Sequence, residues 1–137
     1  MSLILTISGL IVFLLIAYYI LCIPHNLYPP FEAFKEYVPK HLIAESYEVE
    51  TLDGYILTLL RVYNPVEVST TKLPLLIQHG LGGSAFNFCI SGPSFSPAYM
   101  LADIGFDVWL GNNRGNFFSN KHRTLKYSDQ KFFDYSF

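Results

Sequence analysis

The sequence predicts an α/β fold: an antiparallel hairpin followed by one strand–helix–strand crossover, with an apolar N-terminal helix ahead of both. Three observations predict it. Polar and apolar residues alternate with a period of two from Ser46, ahead of an Asp53-Gly54 turn signal,. Two short apolar runs, residues 73–77 and 106–110, flank a stretch that carries helix start and stop signals,. No Asp, Glu, Lys or Arg occurs before Glu32.

The apolar segment comes first. Residues 3–23 are interrupted only by Thr6, Ser8 and Gly9. As a helix they would span roughly 30 Å, the thickness of a bilayer's hydrocarbon core. Pro24 stops the run, and Tyr18, Tyr19 and Tyr28 fall where an interfacial aromatic belt would lie,. Two readings stay open: a retained signal anchor, or a cleaved signal peptide. The second ordinarily shows a basic start and a small-residue cleavage site, and neither is present here. Either reading sends the chain to the secretory or endomembrane system and makes a membrane its first partner. Glu32, Lys35, Glu36 and Lys40 nearly cancel, so flanking charge does not set an orientation,.

Composition excludes several classes. The formal charge is −2, and the nine Lys and Arg are scattered, which leaves no electrostatic footprint for nucleic acid,. The two cysteines, Cys22 inside the apolar run and Cys89 far from it, form neither a disulfide pattern nor a metal-ligand spacing,. No residue pattern calls for a cofactor or a metal, and nothing speaks to oligomeric state.

Residues 24–30, with three prolines and Asn26, read as a linker, and 31–40 suggests a short helix,. From Ser46 the period is two: Tyr47, Val49 and Thr51 alternate with Ser46, Glu48 and Glu50, as in a half-exposed strand,. Asp53-Gly54 signals a two-residue type I′ hairpin turn, and residues 55–63 return as the second strand until Asn64-Pro65 ends it. Residues 65–72 form a surface loop. The continuous apolar run 73–77 predicts a strand buried on both faces, as in a parallel sheet. Ser96-Pro97 reads as an N-cap with proline in the first turn, and a helix over 98–104 should close with Gly105 in the left-handed region,. Residues 106–110 are the next strand, so the crossover should be right-handed. Trp109, beside Val108, reads most simply as core.

Four segments together resemble the acid-lipase family, the gastric and lysosomal type. Glu48-Val-Glu-Thr-Leu-Asp-Gly-Tyr-Ile-Leu57 is similar to that family's opening hairpin, and Gln78-His-Gly-Leu81 to its turn after the third strand. Asp107-Val-Trp-Leu-Gly-Asn-Asn-Arg-Gly-Asn116, with Ser119, Lys121 and His122 behind it, resembles the loop after the fourth. Lys131-Phe-Phe-Asp-Tyr-Ser-Phe137 looks like the start of a Phe-Trp-Asp-Phe-Ser element. A lone His-Gly is weak evidence, whereas four motifs in the family's order are strong. The resemblance implies an incomplete α/β-hydrolase sheet. Residues 1–24 are then the signal anchor or signal peptide, 25–42 a linker, and 43–137 the N-terminal part of a lipase domain. In that fold the third strand lies between the fourth and a fifth, so residues 73–77 should present an unpaired apolar edge.

The resemblance also assigns roles. Glycines around the His-Gly turn let backbone N–H groups point into a pocket where a tetrahedral oxyanion forms. By resemblance the Leu81 N–H is one oxyanion donor, with His79, Gly80 and Gly82 shaping its loop; the plainer reading is a Gly-rich turn that only ends the strand. His79 is expected as a hydrogen-bonded turn residue, because the family's catalytic histidine follows the nucleophile and the acid in chain order. Asn112, Asn113 and Arg114, with Asn116, are expected to scaffold the pocket through side-chain hydrogen bonds and an arginine tether, or to serve turn chemistry alone. His122 reads as a solvated or loop-tethering residue, while His25 and His41 carry no partner pattern.

No residue is assigned as catalytic. A nucleophile elbow needs Gly-x-Ser-x-Gly. The two Gly-x-Ser triplets, Gly82-Gly-Ser84 and Gly92-Pro-Ser94, both lack the second glycine, and neither stands between a strand and a helix. Nothing places Cys89 beside His79 or His122. The expectation is therefore an N-terminal portion of a lipid-ester hydrolase, acting on triacylglycerols or sterol esters, that carries the oxyanion loop but no nucleophile. The alternative is a non-catalytic, membrane-anchored half-domain used as a binding module. A peptidase or dehalogenase of the same fold would share the His-Gly turn but neither the Asp-Gly-Tyr hairpin nor the Trp-Leu-Gly-Asn loop.

Overall fold

The computed structural model of the protein describes residues 31–135. The apolar segment read above as anchor or signal lies outside them, and among the described residues no helix is long and apolar enough to cross a membrane. Five strands build one sheet: β1 (Ile43–Glu50), β2 (Tyr55–Tyr63), β3 (Leu75–Gln78), β4 (Val108–Gly111) and the short β5 (Lys121–His122). The spatial order is β1-β2-β4-β3, with β5 also on β2. Helix α1 (Phe31–Lys35) precedes the sheet, and α2 (Pro97–Asp103) connects β3 to β4. Those two strands run parallel from Leu75↔Val108 to Gln78↔Gly111, so β3, α2 and β4 form the expected crossover.

The hairpin forms where the period-two pattern puts it, antiparallel from Ile43↔Tyr63 to Glu50↔Ile56. Its turn differs from the type I′ expectation. Among the described residues no non-glycine has a positive φ, so Asp53 does not, and within this turn only Gly54 enters the left-handed region, at +93°. Instead the Gly54 N–H donates to the Thr51 carbonyl at 2.9 Å and the Thr51 N–H to the Tyr55 carbonyl at 2.8 Å. That is the three-residue loop whose last member is a left-handed glycine. The Thr51 hydroxyl completes it by accepting from the Tyr55 N–H at 2.9 Å, a second anchor that a type I′ turn would not need.

One face of the sheet carries the core. Leu60↔Leu110 and Val62↔Val108 are cross-strand pairs, and all four side chains are fully buried. Ala98, Tyr99 and Ala102 of α2 cover them, together with Ala85 and Cys89. Phe34 and Leu42, in the segment expected as a linker, are also buried here. Phe34 meets Phe86 edge to face at 6.3 Å and stacks on Phe31 at 6.1 Å, so α1 is packed structure rather than a free connection. The helix is shorter than the expected 31–40 and ends at Lys35, ahead of Pro39. Helix α2 starts at Pro97 as the sequence implies and is followed by Gly105 at φ +88°. Ser96 occupies the N-cap position, fully buried, but its hydroxyl makes no capping bond.

The opposite face is polar, and it corrects the expectation that Trp109 is core. Strand alternation sends Trp109 away from Val108 and Leu110, opposite Arg61, where it is half-buried against the Tyr47 ring at 5.1 Å,. Arg61 organises this face. Its Nε and Nη2 donate to the two Asp107 carboxylate oxygens at 2.7 and 3.1 Å, and its Nη1 to Glu45 at 3.0 Å. The guanidinium also lies over the Tyr63 ring at 4.3 Å. The Asp107 hydrogen bonds outweigh partial burial and hold Arg61 above its ordinary pKa.

Strand β3 is the outer strand of the sheet among the described residues, and its alternation of half-buried and exposed positions replaces the expected two-sided burial. Leu76, and Leu73 ahead of the strand, are exposed. His41, for which the sequence offered no partner, pairs with Asp103 at 2.7 Å and clasps the approach to β1 against the end of α2.

Candidate functional site

A cleft of about 520 Å³ opens between the loop after β3 and the loop after β4. Its walls include His79, Gly80, Leu81 and Gly82 from the first loop, and Asn113 and Arg114 from the second. Asn112 stands behind the wall, almost completely buried. The sequence-nominated residues thus come together around one space. The strands explain why: parallel β3 and β4 end at the same level, Gln78 opposite Gly111, so both following loops rise from the same end of the sheet,.

The first loop is a tight turn. The Gly83 N–H donates to the Gly80 carbonyl at 3.1 Å, and Gly82 has φ +72°. A type II turn over residues 80–83 demands a left-handed third residue, which a side chain at Gly82 would oppose. Leu81 takes the second position. Its side chain is wholly exposed, and its N–H has no acceptor among the described residues. After the turn, Ser84 caps a 3-10 helix (Ala85–Phe88): its hydroxyl accepts from the Phe86 N–H, and the Asn87 side chain accepts from the Ser84 N–H.

His79 is nine-tenths buried, and both ring nitrogens are engaged. Nδ1 lies 2.8 Å from the Gly80 carbonyl oxygen, and Nε2 lies 3.1 Å from the Asn113 backbone nitrogen. A backbone N–H can only donate, so Nε2 is the acceptor and the ring proton sits on Nδ1. A histidine whose free lone pair is already used is a structural link, not a base.

The second loop is held by asparagines. Asn112 Oδ1 accepts from the Ala85 N–H at 3.0 Å and from Asn116 Nδ2 at 2.9 Å, while its Nδ2 donates to the Thr58 carbonyl at 3.0 Å. One buried amide therefore ties the start of the 3-10 helix to β2 and to the second loop. Asn113 adds an acceptor for the Gln78 side chain at 3.0 Å. Ser119 donates to the Asn112 carbonyl at 3.0 Å and accepts from the Thr58 N–H at 2.9 Å. Arg114 reaches outward: Nη1 donates to Asp53 at 2.8 Å, and the guanidinium covers the Tyr55 ring at 4.9 Å.

His122 tethers the hairpin tip to β5. Its Nδ1 accepts from the Thr124 and Leu125 N–H groups at 3.0 Å each, and its Nε2 donates to the Asp53 carbonyl at 2.9 Å. Cys89 is buried, and burial pushes its thiol up to about 12. Three contributors escaped the sequence reading. Ser84 caps with an asparagine three residues on, a weaker signal than the usual Glu or Gln. Tyr135 lines the cleft, and its hydroxyl donates to the Arg114 carbonyl at 2.8 Å. Tyr55 is buried under it and donates to the Phe132 carbonyl at 2.6 Å. No local pattern marks a contact that spans such sequence distances.

Chemically, the cleft offers the Leu81 N–H on a tight turn, with the His79 ring behind it committed to hydrogen bonds on both nitrogens. Residues 36–92 match the family model described as a partial alpha/beta-hydrolase lipase region. Over 93 residues the chain is 46% identical to Lipase 1 of Drosophila melanogaster, covering 68% of this chain and 20% of that protein. It is 43% identical over 97 residues to human Lipase member M, covering 68% of this chain and 23% of that protein. It is 42% identical over 97 residues to human lysosomal acid lipase/cholesteryl ester hydrolase, covering 69% and 24%. The chain thus spans between a fifth and a quarter of the length of these curated relatives.

Proposed function

From the premise that this chain carries an N-terminal portion of the acid-lipase family, we propose that it supplies the oxyanion loop of a lipid-ester hydrolase acting on triacylglycerols or sterol esters. The observation that carries the reading is the Leu81 N–H, free of any acceptor among the described residues and held at the cleft by the Gly80–Gly83 turn. In acyl transfer the carbonyl oxygen of the ester gains negative charge as the nucleophile adds. A backbone donor fixed in advance stabilises that charge without reorganising. His79, Gly80, Gly82, Asn112, Asn113 and Arg114 hold the donor in place. Residues 1–137 contain no Gly-x-Ser-x-Gly elbow, so on this reading the attacking serine comes from elsewhere in the complete product and the second donor follows it.

Two measurements test this. The transcript that carries these codons should continue in frame into a Gly-x-Ser-x-Gly elbow. In the complete product, assayed on triacylglycerol and cholesteryl ester emulsions, Leu81→Pro should lower kcat by about 10²–10³ through loss of one donor. A product with no elbow, or Leu81→Pro activity equal to wild type, rejects the reading.

We further infer a secretory or endomembrane location, on the strength of the apolar run at residues 3–23 and of likeness to a protein named a lysosomal lipase. Alkaline extraction of membranes distinguishes the two forms: an anchored chain stays with the lipid and a cleaved one is released. A chain recovered wholly from cytosol would exclude both.

A further inference from the structure

The turn that carries Leu81 is closed by one carbonyl, that of Gly80, which receives two donors: the Gly83 N–H and His79 Nδ1. The second bond exists only while the His79 proton is on Nδ1. What keeps it there is the company of Nε2. The Asn113 N–H is one donor to it, and the Asn116 side-chain amide is the other, at 3.2 Å. The same Asn116 Nδ2 donates at 2.9 Å to Asn112 Oδ1, the atom that receives the Ala85 N–H. A single NH₂ group therefore links the His79 ring to the Asn112 oxygen that holds the Ala85 N–H.

The orientation of that amide is itself fixed. Asn116 Oδ1 accepts from the Phe118 and Ser119 N–H groups, both at 2.9 Å, so a flipped amide would set an NH₂ against two donors,.

We propose that Asn116 is a positioning residue for the Leu81 donor: its amide keeps the His79 proton on Nδ1 and thereby fixes the Gly80 carbonyl that closes the turn. The inference deepens the oxyanion reading of Leu81 and rests on it for its catalytic consequence, although the tautomer claim stands alone. The mechanism is a chain of two hydrogen bonds, Asn116 to His79 to Gly80, with no group of its own at the reacting atoms.

Asn116→Asp isolates the effect. It keeps an oxygen for the Phe118 and Ser119 N–H groups but turns a second oxygen toward His79 Nε2 and Asn112 Oδ1, both acceptors. The frustrated pair is relieved when the His79 proton moves from Nδ1 to Nε2, which takes the second donor away from the Gly80 carbonyl. Nitrogen NMR of the full chain, labelled at histidine and assigned with His79→Gln, reads this directly. Wild type should show the neutral Nδ1–H form and Asn116→Asp the neutral Nε2–H form, whereas an imidazolium carrying both protons would leave the Gly80 bond in place and overturn the proposal. In the complete product the same substitution should lower kcat about 10²-fold, the cost of a small misplacement, with KM changed less than twofold.

A wild-type His79 protonated on Nε2 overturns the proposal without any variant. So does an unchanged tautomer in a folded Asn116→Asp protein, and so does an equal fall in kcat for a surface substitution of matched stability loss. Leu81→Pro separates the two claims: if it leaves kcat intact the oxyanion reading fails, while the His79 spectrum still judges Asn116.

Discussion

Asp53 and Arg114, 61 residues apart, meet at 2.8 Å and tie the tip of the β1–β2 hairpin to the loop after β4. The wall of the cleft is thus braced from outside as well as from the asparagine network behind it. The Thr51 hydroxyl foremost, then the Asp53 backbone and the Arg114 charge, hold the Asp53 carboxyl below its usual range.

A depressed carboxylate makes its stabilisation present above its unfolded pKa of about 4, and that contribution is lost as pH falls through the lower folded value. Asp53→Asn should therefore unfold at lower urea than wild type at pH 6, with the gap closing as pH approaches 3. The pair is solvent-exposed, so the gap should also shrink with added salt. An urea midpoint difference that is the same at both pH values would refute the brace.

Asn112 is the opposite case, a buried amide with every partner internal. Asn112→Ala strands the Ala85 N–H and the Thr58 carbonyl together, and each orphaned buried group costs about 1–3 kcal/mol. Urea unfolding should show a loss of about 2–6 kcal/mol on that basis. A loss below about 0.5 kcal/mol, the scale of an ordinary surface change, would mean that the network is not what joins the two loops.

Gly115 sits at φ +81°, and a Cβ added there would lie 2.2 Å from the Tyr135 hydroxyl oxygen. Gly115→Ala combines a left-handed alanine, about 1–2 kcal/mol, with displacement of that hydroxyl from the Arg114 carbonyl. In a Tyr135→Phe background the second part is already absent, so the alanine should cost only the first. Equal costs in both backgrounds, read from denaturant curves, would show that Tyr135 does not lean on Gly115.

Cys89 should be inert in the folded protein. With the thiol pushed up to about 12 by burial, only about one part in ten thousand is thiolate at pH 8. In a Cys22→Ala chain an aromatic disulfide reagent should titrate no thiol until guanidinium is added. Rapid reaction without denaturant would contradict the packing of Cys89 under α2.

How much of this was written in the sequence depends on the range of the interaction. Period-two alternation and the glycine punctuation located β1, β2, α2 and β4, because those signals act between near neighbours. The same alternation could not say which face of β4 is dry. Val108 and Leu110 are covered by α2, while Trp109 lies among Tyr47 and Arg61, a polar surface assembled from three strands. The Asp53-Gly54 turn was located but mistyped, since the deciding bond comes from the Thr51 side chain. At the cleft, family resemblance nominated Leu81, His79 and the asparagines, and the geometry adds which atoms bind which. Tyr135 was invisible because it reaches its place only through the tertiary path around Tyr55 and Phe132.

The Arg61 cluster gives the sheet two unlike fastenings across the same strands. Cooling weakens the oily side, because burial of hydrocarbon loses its drive at low temperature. Concentrated salt acts on the charged side, and there the half-buried geometry blunts its reach,. Strand register in this sheet is therefore insured against each stress by the bonds that the other stress attacks.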